Sequence, residues 1–229
     1  MRLKEIGLHA PHGADYQKQF NENTYCIVEM YWSHWYKSIN KHNENAMKVN
    51  ISLVISKKEV EHDTNLGGFY EKYILFNPQK YFSLSPYEKK KMLLDITHNT
   101  MMKISDKIGV DKKSLIAAYK YCLEKKLQNK WLFKDKYYKS PDKKYYAGVE
   151  CNWTLNKFEL TGILLDNNKK EILRKKLTKQ CAYLGGFIYW TKCYWNNNTF
   201  FIEPQNGFYG SLIGEKKWIL DTSKIKTSI

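Results

Sequence analysis

The chain has 229 residues, 43% of them hydrophobic, so it can bury the core of one large domain or two small ones. Its formal net charge is +15, yet of its 38 basic residues only Arg2 and Arg174 are arginine. Arginine is the side chain that phosphate and base recognition favour. The lysine excess, scattered in pairs, therefore indicates a solvated surface more than a nucleic-acid footprint.

The five cysteines argue against a disulfide framework and against a zinc site, because their number is odd and no two are spaced C-x-x-C. No apolar run has the length of a membrane span, and the N-terminus lacks the apolar segment of a signal peptide. We therefore expect a cytoplasmic protein with no membrane partner.

Three strands are predicted in the first third of the chain. The segment TYCIVEMYW (residues 24–32) is rich in β-branched and aromatic residues, which favour a strand. KYILFN (residues 72–77) has the same character. Between them, KVNISLVIS shows the alternation of a half-buried strand, with one face formed by Val49, Ile51, Leu53 and Ile55. The segment SHWYKSINKHNEN fits either a short helix or a long loop.

A helix is predicted to begin after Ser85. Ser85, Pro86 and Glu88 combine a capping box with a proline at the first helical position. Gly109 suits the left-handed residue that ends a helix. One face of this helix is apolar and consists of Leu93, Thr97, Met101, Ile104 and Ile108.

A second helix is predicted to begin after Asp111, a good N-cap. Its apolar residues recur at helical spacing and are Leu115, Ala118, Tyr119, Cys122, Leu123 and Leu127. Only Gly109 and Val110 separate the two helices from each other, and so short a link favours a helical hairpin.

The last third of the chain is predicted to be rich in strands. Two adjacent antiparallel strands are predicted from their apolar residues. The first strand contains Tyr145, Ala147, Val149, Cys151 and Trp153, and the second contains Phe158, Leu160 and Leu164. Residues 169–184 fit either a hairpin partner that follows a turn or a helix that ends at two glycines, and the hairpin is slightly favoured. FIYWTKCYW (residues 187–195) and TFFIE form a second hairpin, and KWIL forms a short final strand.

These elements predict an α+β fold: a mostly antiparallel sheet with a two-helix hairpin packed on one face. We expect a single domain over residues 1–229. The alternative is two lobes with a boundary near residue 140.

No catalytic, metal or cofactor site is predicted. Asp95 and His98 lie on the polar side of their helix, which indicates a solvated surface pair. His9 and His12 are separated by Pro11, which disfavours a helical ligand pair. A metal hydrolase that uses these histidines is the most remote interpretation.

Clustered aromatic residues are the strongest functional signal, because exposed aromatic clusters are the usual anchors of protein interfaces. They occur in MYWSHWY and in FIYWTKCYW. The alternative is that both segments are core. The predicted partner-binding residues are Trp32, Trp35, Tyr36, Trp190, Tyr194 and Trp195.

Residues 73–127, followed by the strands of YYAGVECNWTLNKFELTGILLD, resemble small bacterial α+β proteins, some of which are immunity-type partners in polymorphic toxin systems. The resemblance implies a non-enzymatic protein that binds and neutralises a toxin domain. Immunity proteins of basic nuclease toxins are commonly acidic, whereas this chain is basic. A toxin partner would therefore have to present an acidic face.

Two functional hypotheses follow. The first is a protein-binding module without catalysis, plausibly immunity-like, whose partner has an acidic face. The second is a basic nucleic-acid-binding or nucleic-acid-processing protein. Its candidate contact residues are Lys169, Lys170, Arg174, Lys175, Lys176 and Lys179.

Overall fold

The structure is a computed structural model, and it describes residues 2–39, 44–60, 63–205, 212–214 and 217–223. The chain has an α+β fold in which most strand pairs are antiparallel. It divides into two compact units, Met1–Asn129 and Lys130–Ile229, called unit 1 and unit 2 below. The division lies before the boundary near residue 140 that the sequence suggests, and the single domain over residues 1–229 stays a prediction.

Unit 1 contains a mixed sheet in the order β1-β2-β4-β3. Strands β1, β2 and β4 are parallel neighbours, and β3 pairs antiparallel with β4. Val49, Ile51 and Leu53 are buried as predicted, whereas Ile55 follows the end of β2 and is 64% exposed. The four strands are β1 (Glu5–His9), β2 (Lys48–Val54), β3 (Thr64–Leu66) and β4 (Phe69–Leu75).

The predicted strand at residues 24–32 is wrong, because this segment lies within helix α1 (Gln17–Ser38). The helix packs against β1 and against two later helices, so its aromatic and β-branched residues are buried at helical spacing. The buried residues are Phe20, Asn23, Thr24, Cys26, Ile27, Val28, Met30, Tyr31 and Trp35. Because α1 connects β1 to β2, it is the crossover that makes these strands parallel.

Three further helices follow: α2 (Pro78–Ser83), α3 (Pro86–Ile108) and α4 (Lys112–Glu124). Both predicted start signals are present: the capping box at Ser85 and the Asp111 side chain, which accepts the Ser114 N–H at 2.8 Å. Gly109 is left-handed, with φ 71°. The detail of a two-helix hairpin covering one sheet is not confirmed, because α1 packs against both α3 and α4.

The Ser85 cap gives a stability prediction. Its hydroxyl accepts the Glu88 N–H at 3.4 Å, and the Glu88 carboxylate accepts the Ser85 N–H at 2.9 Å. Ser85→Ala removes the acceptor, so we expect it to lower the free energy of unfolding by about 1 kcal/mol. Urea denaturation measures the change. Ser85→Asp keeps a cap acceptor and is the control; equal losses in the two variants would contradict a capping role.

Unit 2 contains a five-stranded sheet with the main order β5-β7-β8-β9, in which β6 also pairs with β7. The hairpin prediction for residues 169–184 is confirmed up to Cys181, since β9 pairs antiparallel with β8. The strands are β5 (Asn129–Leu132), β6 (Tyr138–Lys139), β7 (Tyr145–Trp153), β8 (Lys157–Asp166) and β9 (Glu171–Cys181).

A second, three-stranded sheet in unit 2 has the order β10-β11-β12. Its strands are β10 (Thr191–Asn196), β11 (Thr199–Pro204) and β12 (Trp218–Asp221), which confirms the predicted hairpin and final strand. The predicted strand begins too early, at residue 187. Residues 187–190 belong instead to the 3₁₀ segment Ala182–Trp190. A methyl group on Gly162 of β8 would lie only 2.7 Å from Leu220 of β12, so the two sheets of unit 2 pack closely there.

Candidate functional site

The predicted partner-binding residues near position 35 belong to helix α1. Trp35 is fully buried, and its indole N–H donates to Ser114 Oγ at 3.0 Å. Its assignment to a binding surface is therefore wrong, because the helix turns this side chain into the core. Trp32 and Tyr36 are half-buried, and their rings stack with centroids 4.9 Å apart. The Arg2 guanidinium lies 4.5 Å from the Tyr36 ring centroid.

The predicted residues near position 190 divide between two environments. Trp190 is 60% exposed and Tyr194 is 41% exposed. Trp195 is half-buried on the opposite side of β10, where its N–H donates to the Tyr138 carbonyl at 2.8 Å and its ring packs on Phe200. Of this group, Trp190 and Tyr194 are therefore the two residues exposed to solvent.

Cross-strand pairing extends Tyr194 into a row of apolar side chains that are exposed or half-buried. Tyr194 lies opposite Phe201, and Phe201 lies opposite Ile219, which is 42% exposed. The Tyr194 and Phe201 rings stack at 5.3 Å with an interplanar angle of 13°. We call this row, together with its flanking Lys192 and Lys217, the aromatic face.

Charged and polar groups surround the aromatic face. Lys217 Nζ lies 5.4 Å from the Phe201 ring centroid, within the range of a cation–π contact. Lys192 lies opposite Glu203 in the strand register. The Tyr194 hydroxyl donates to the Glu203 carboxylate at 3.0 Å, and this hydrogen bond raises the pKa of Tyr194. An apolar strip edged by two lysines and Glu203 can bury area against a partner and select its charge.

The six candidate nucleic-acid contacts lie on β9, the edge strand of the larger sheet, or in the turn before it. Two of them are already paired with carboxylates. Arg174 bonds to both Glu150 and Glu171 at 2.9 Å, and Lys176 bonds to Glu159 at 2.6 Å. Lysines on an edge strand also protect it from unwanted strand pairing, so a structural role accounts for them.

Asp95 and His98 belong to a partly buried network and are not the solvated pair that the sequence predicted. The Tyr119 hydroxyl donates to Asp95 at 2.7 Å, and Lys91 pairs with the same carboxylate at 2.6 Å. His98 Nδ1 lies 3.1 Å from the Tyr31 hydroxyl, and its ring stacks on Tyr119 at 4.3 Å. Tyrosines from α1 and α4 cover the pair, which links three helices.

A further cluster lies on the open face of the unit 1 sheet, near the carboxyl ends of the parallel strands. His9, Ser52 and Tyr73 are register neighbours across β1, β2 and β4. Glu71 lies in the next row, where it accepts a hydrogen bond from Ser52 Oγ at 2.8 Å. Burial and the nearby Glu71 carboxylate raise the pKa of Tyr73. We call these four residues the polar row.

A cleft of about 800 Å³ opens beyond the carboxyl ends of the same three parallel strands. Pro11 follows His9 by two positions and Leu75 follows Tyr73 by two, so the cleft continues the same edge of the sheet. The residues that line it are Pro11, His12, Gly13, Ala14, Asp15, Tyr16, Ile55, Leu75, Phe76, Asn77, Pro78 and Gln79. The sequence interpretation missed this site because it did not predict strand β1 and placed a strand where α1 forms the crossover.

Comparison of the chain with protein-family models, with curated proteins and with solved structures found no match. Within the described ranges, no helix combines the length and apolar content that a membrane crossing needs. The same ranges contain no group of three or more His, Cys, Asp or Glu side chains that could hold a metal ion.

Proposed function

We propose that the protein is a non-enzymatic binding module that docks a protein partner on the aromatic face of unit 2. The observation that carries this proposal is the row of exposed Tyr194, half-buried Phe201 and exposed Ile219, with exposed Trp190 just before its first strand. Contiguous exposed apolar groups mark interaction sites on folded proteins. Tyrosine and tryptophan are also the residue types in which binding energy concentrates.

The charge around this surface supports a partner with an acidic face. Lys192 and Lys217 flank the row, and the chain as a whole carries a formal charge of +15. Opposite charge on the partner would speed encounter and exclude basic competitors. A toxin domain with such a face, in an immunity-like relationship, is the partner class that the sequence resemblance suggests, and a cytoplasmic location would suit it.

Nucleic-acid binding is the second candidate function, and one observation favours it. Lys169, Lys170, Lys175 and Lys179 are exposed, and no ion pair to them occurs within the part of the chain that the structure describes. Such binding depends on counterion release, so its affinity would fall steeply as salt rises. Absence of DNA and RNA binding at low salt would exclude this candidate.

Substitution of the aromatic face tests the proposed function. Copurification with the tagged wild-type chain identifies a partner, and calorimetry then gives its dissociation constant. We expect the double variant Trp190→Ala, Tyr194→Ala to bind that partner at least about tenfold more weakly, because each truncation at an interface centre costs over about 1 kcal/mol.

Tyr87→Ala is the matched control, because Tyr87 is 54% exposed but lies on helix α3 of unit 1. The control variant should bind the partner as tightly as the wild type. Equal affinity of the wild type and the double variant would show that the aromatic face is not the docking surface.

A further inference from the structure

We infer that unit 1 holds a second, separate site: the cleft and the polar row together bind a neutral polyhydroxylated ring, either a free sugar or the ribose of a nucleoside. The first argument is topological. Ligands of sheets with parallel strands bind outside the carboxyl ends of those strands, where the connecting loops diverge. Strands β1, β2 and β4 are parallel, and the cleft lies beyond the carboxyl end of all three.

The second argument concerns hydrogen-bonding capacity. The Glu71 carboxylate accepts a hydrogen bond from the Ser52 hydroxyl at 2.8 Å, which orients these two side chains, and it lies near Tyr73. A carboxylate has about four acceptor positions, and the Ser52 hydroxyl occupies only one of them. Ligand hydroxyl groups, which both donate and accept, match a row in which carboxylate and hydroxyl oxygens stand side by side.

His9 adds a neutral group to the row. A methyl group on Gly7 would collide with His9 Nε2 and lie 3.3 Å from Asn50 Oδ1, so the absent side chain makes room for the imidazole. Burial, and then the positive charge of Lys48, lowers the pKa of His9 below its ordinary value of 6.5, although the Asn50 side chain and the carboxylates of Glu5 and Glu71 oppose the shift. The ring is therefore uncharged at neutral pH, with one donor and one acceptor nitrogen.

The lining of the cleft sets the charge of the ligand. None of the described residues that line it is lysine or arginine, although the chain has 38 basic residues, and Asp15 contributes a negative charge. A phosphate group in the cleft would meet the Asp15 carboxylate without a compensating cation in the lining. Apolar walls from Ile55 and Leu75, with the ring of Tyr16, suit the carbon face of a sugar or a base.

Protein NMR tests the inference with four defined probes: D-glucose, adenosine, adenosine monophosphate and spermidine. We expect glucose or adenosine to shift the backbone amides of residues 12–16 and 75–79 saturably at concentrations up to about 10 mM. A response to glucose identifies a free sugar, whereas a response to adenosine alone identifies a nucleoside. The monophosphate should bind more weakly than adenosine.

Variants of the polar row locate the contact. We expect Glu71→Gln to weaken binding of the responding probe about tenfold, because it removes the charged acceptor and keeps the side-chain shape. The amide spectrum reports whether Glu71→Gln alters the fold. If it does, Ser52→Ala is the second variant, and we expect it to weaken binding of the same probe. Glu203→Gln in unit 2 is the control and should leave the affinity unchanged.

Three outcomes would overturn the inference. They are no saturable shift with glucose or adenosine, tighter binding of the monophosphate or spermidine than of the neutral probes, and shifts confined to residues outside the cleft and the polar row. Each outcome is independent of the aromatic face, since the proposed docking surface belongs to unit 2.

Discussion

Replacement of Trp35 by alanine is expected to lower the free energy of unfolding of unit 1 by about 3–5 kcal/mol, the usual cost of truncating a large core side chain. Trp35 is fully buried on α1, and its N–H donates to Ser114 Oγ of α4 at 3.0 Å. The substitution leaves a large cavity between packed helices and removes this hydrogen bond. A binding residue, by contrast, would be replaced with little effect on stability.

Amide hydrogen exchange of α1 and α4 measures this loss, because it reports on unit 1 even where the two units unfold separately. Trp190→Ala is the matched control: the side chain is 60% exposed, so its removal should change stability by no more than about 0.5 kcal/mol. Ser114→Ala should cost about 1–3 kcal/mol if it leaves the indole N–H unsatisfied. A Trp35→Ala variant as stable as the control would place Trp35 outside the core.

Local chemistry explains why some elements were predictable from the sequence. Ser85 and Asp111 cap their helices through contacts within three residues, so the information lies in the segment itself. The alternation of apolar and polar residues in β7 also agrees with the structure, because the apolar residues of this strand face the core of unit 2. Such signals need no knowledge of distant neighbours.

Helix α1 was mispredicted because it lacks local signals of that kind. Its N-cap, Tyr16, makes no side-chain capping hydrogen bond, and the first turn contains no acidic residue. The β-branched and aromatic residues of the segment satisfy strand propensity, whereas burial against β1, α3 and α4 decides the observed helix. The helical spacing of Phe20, Thr24 and Ile27 was the signal that could have corrected the prediction.

Two errors hid the polar row: strand β1 was not predicted, and a strand was predicted where α1 forms. With a strand at residues 24–32, β1 and β2 have no crossover and no reason to be parallel, so their carboxyl ends do not define a site. With α1 in place, His9 and Ser52 become register neighbours although 43 positions separate them in the sequence. By contrast, the exposure of Tyr194 could be predicted from alternation along one strand. Its pairing with Phe201 needed only a short hairpin.

Phe158→Ala is expected to lower the free energy of unfolding of unit 2 by about 3–5 kcal/mol. The Phe158 ring is fully buried on β8 and contacts Trp131 and Trp153 of the same sheet, with the Trp153 centroid 5.2 Å away. It also meets Phe187 of the 3₁₀ segment at 5.5 Å, edge to face. Aromatic pairs of this kind add stabilisation beyond the area they bury, so the variant loses several contacts at once.

Phe158→Leu is the control, since it keeps most of the buried volume and should cost only about 1–1.5 kcal/mol. Hydrogen exchange of the β7 and β8 amides in urea measures the free energy of unfolding of unit 2, which should differ between the two variants. Because Phe187 and the exposed Trp190 share the 3₁₀ segment Ala182–Trp190, loosening the core should also weaken partner binding at the aromatic face. Full affinity in a strongly destabilised Phe158→Ala variant would show that this core does not position the docking surface.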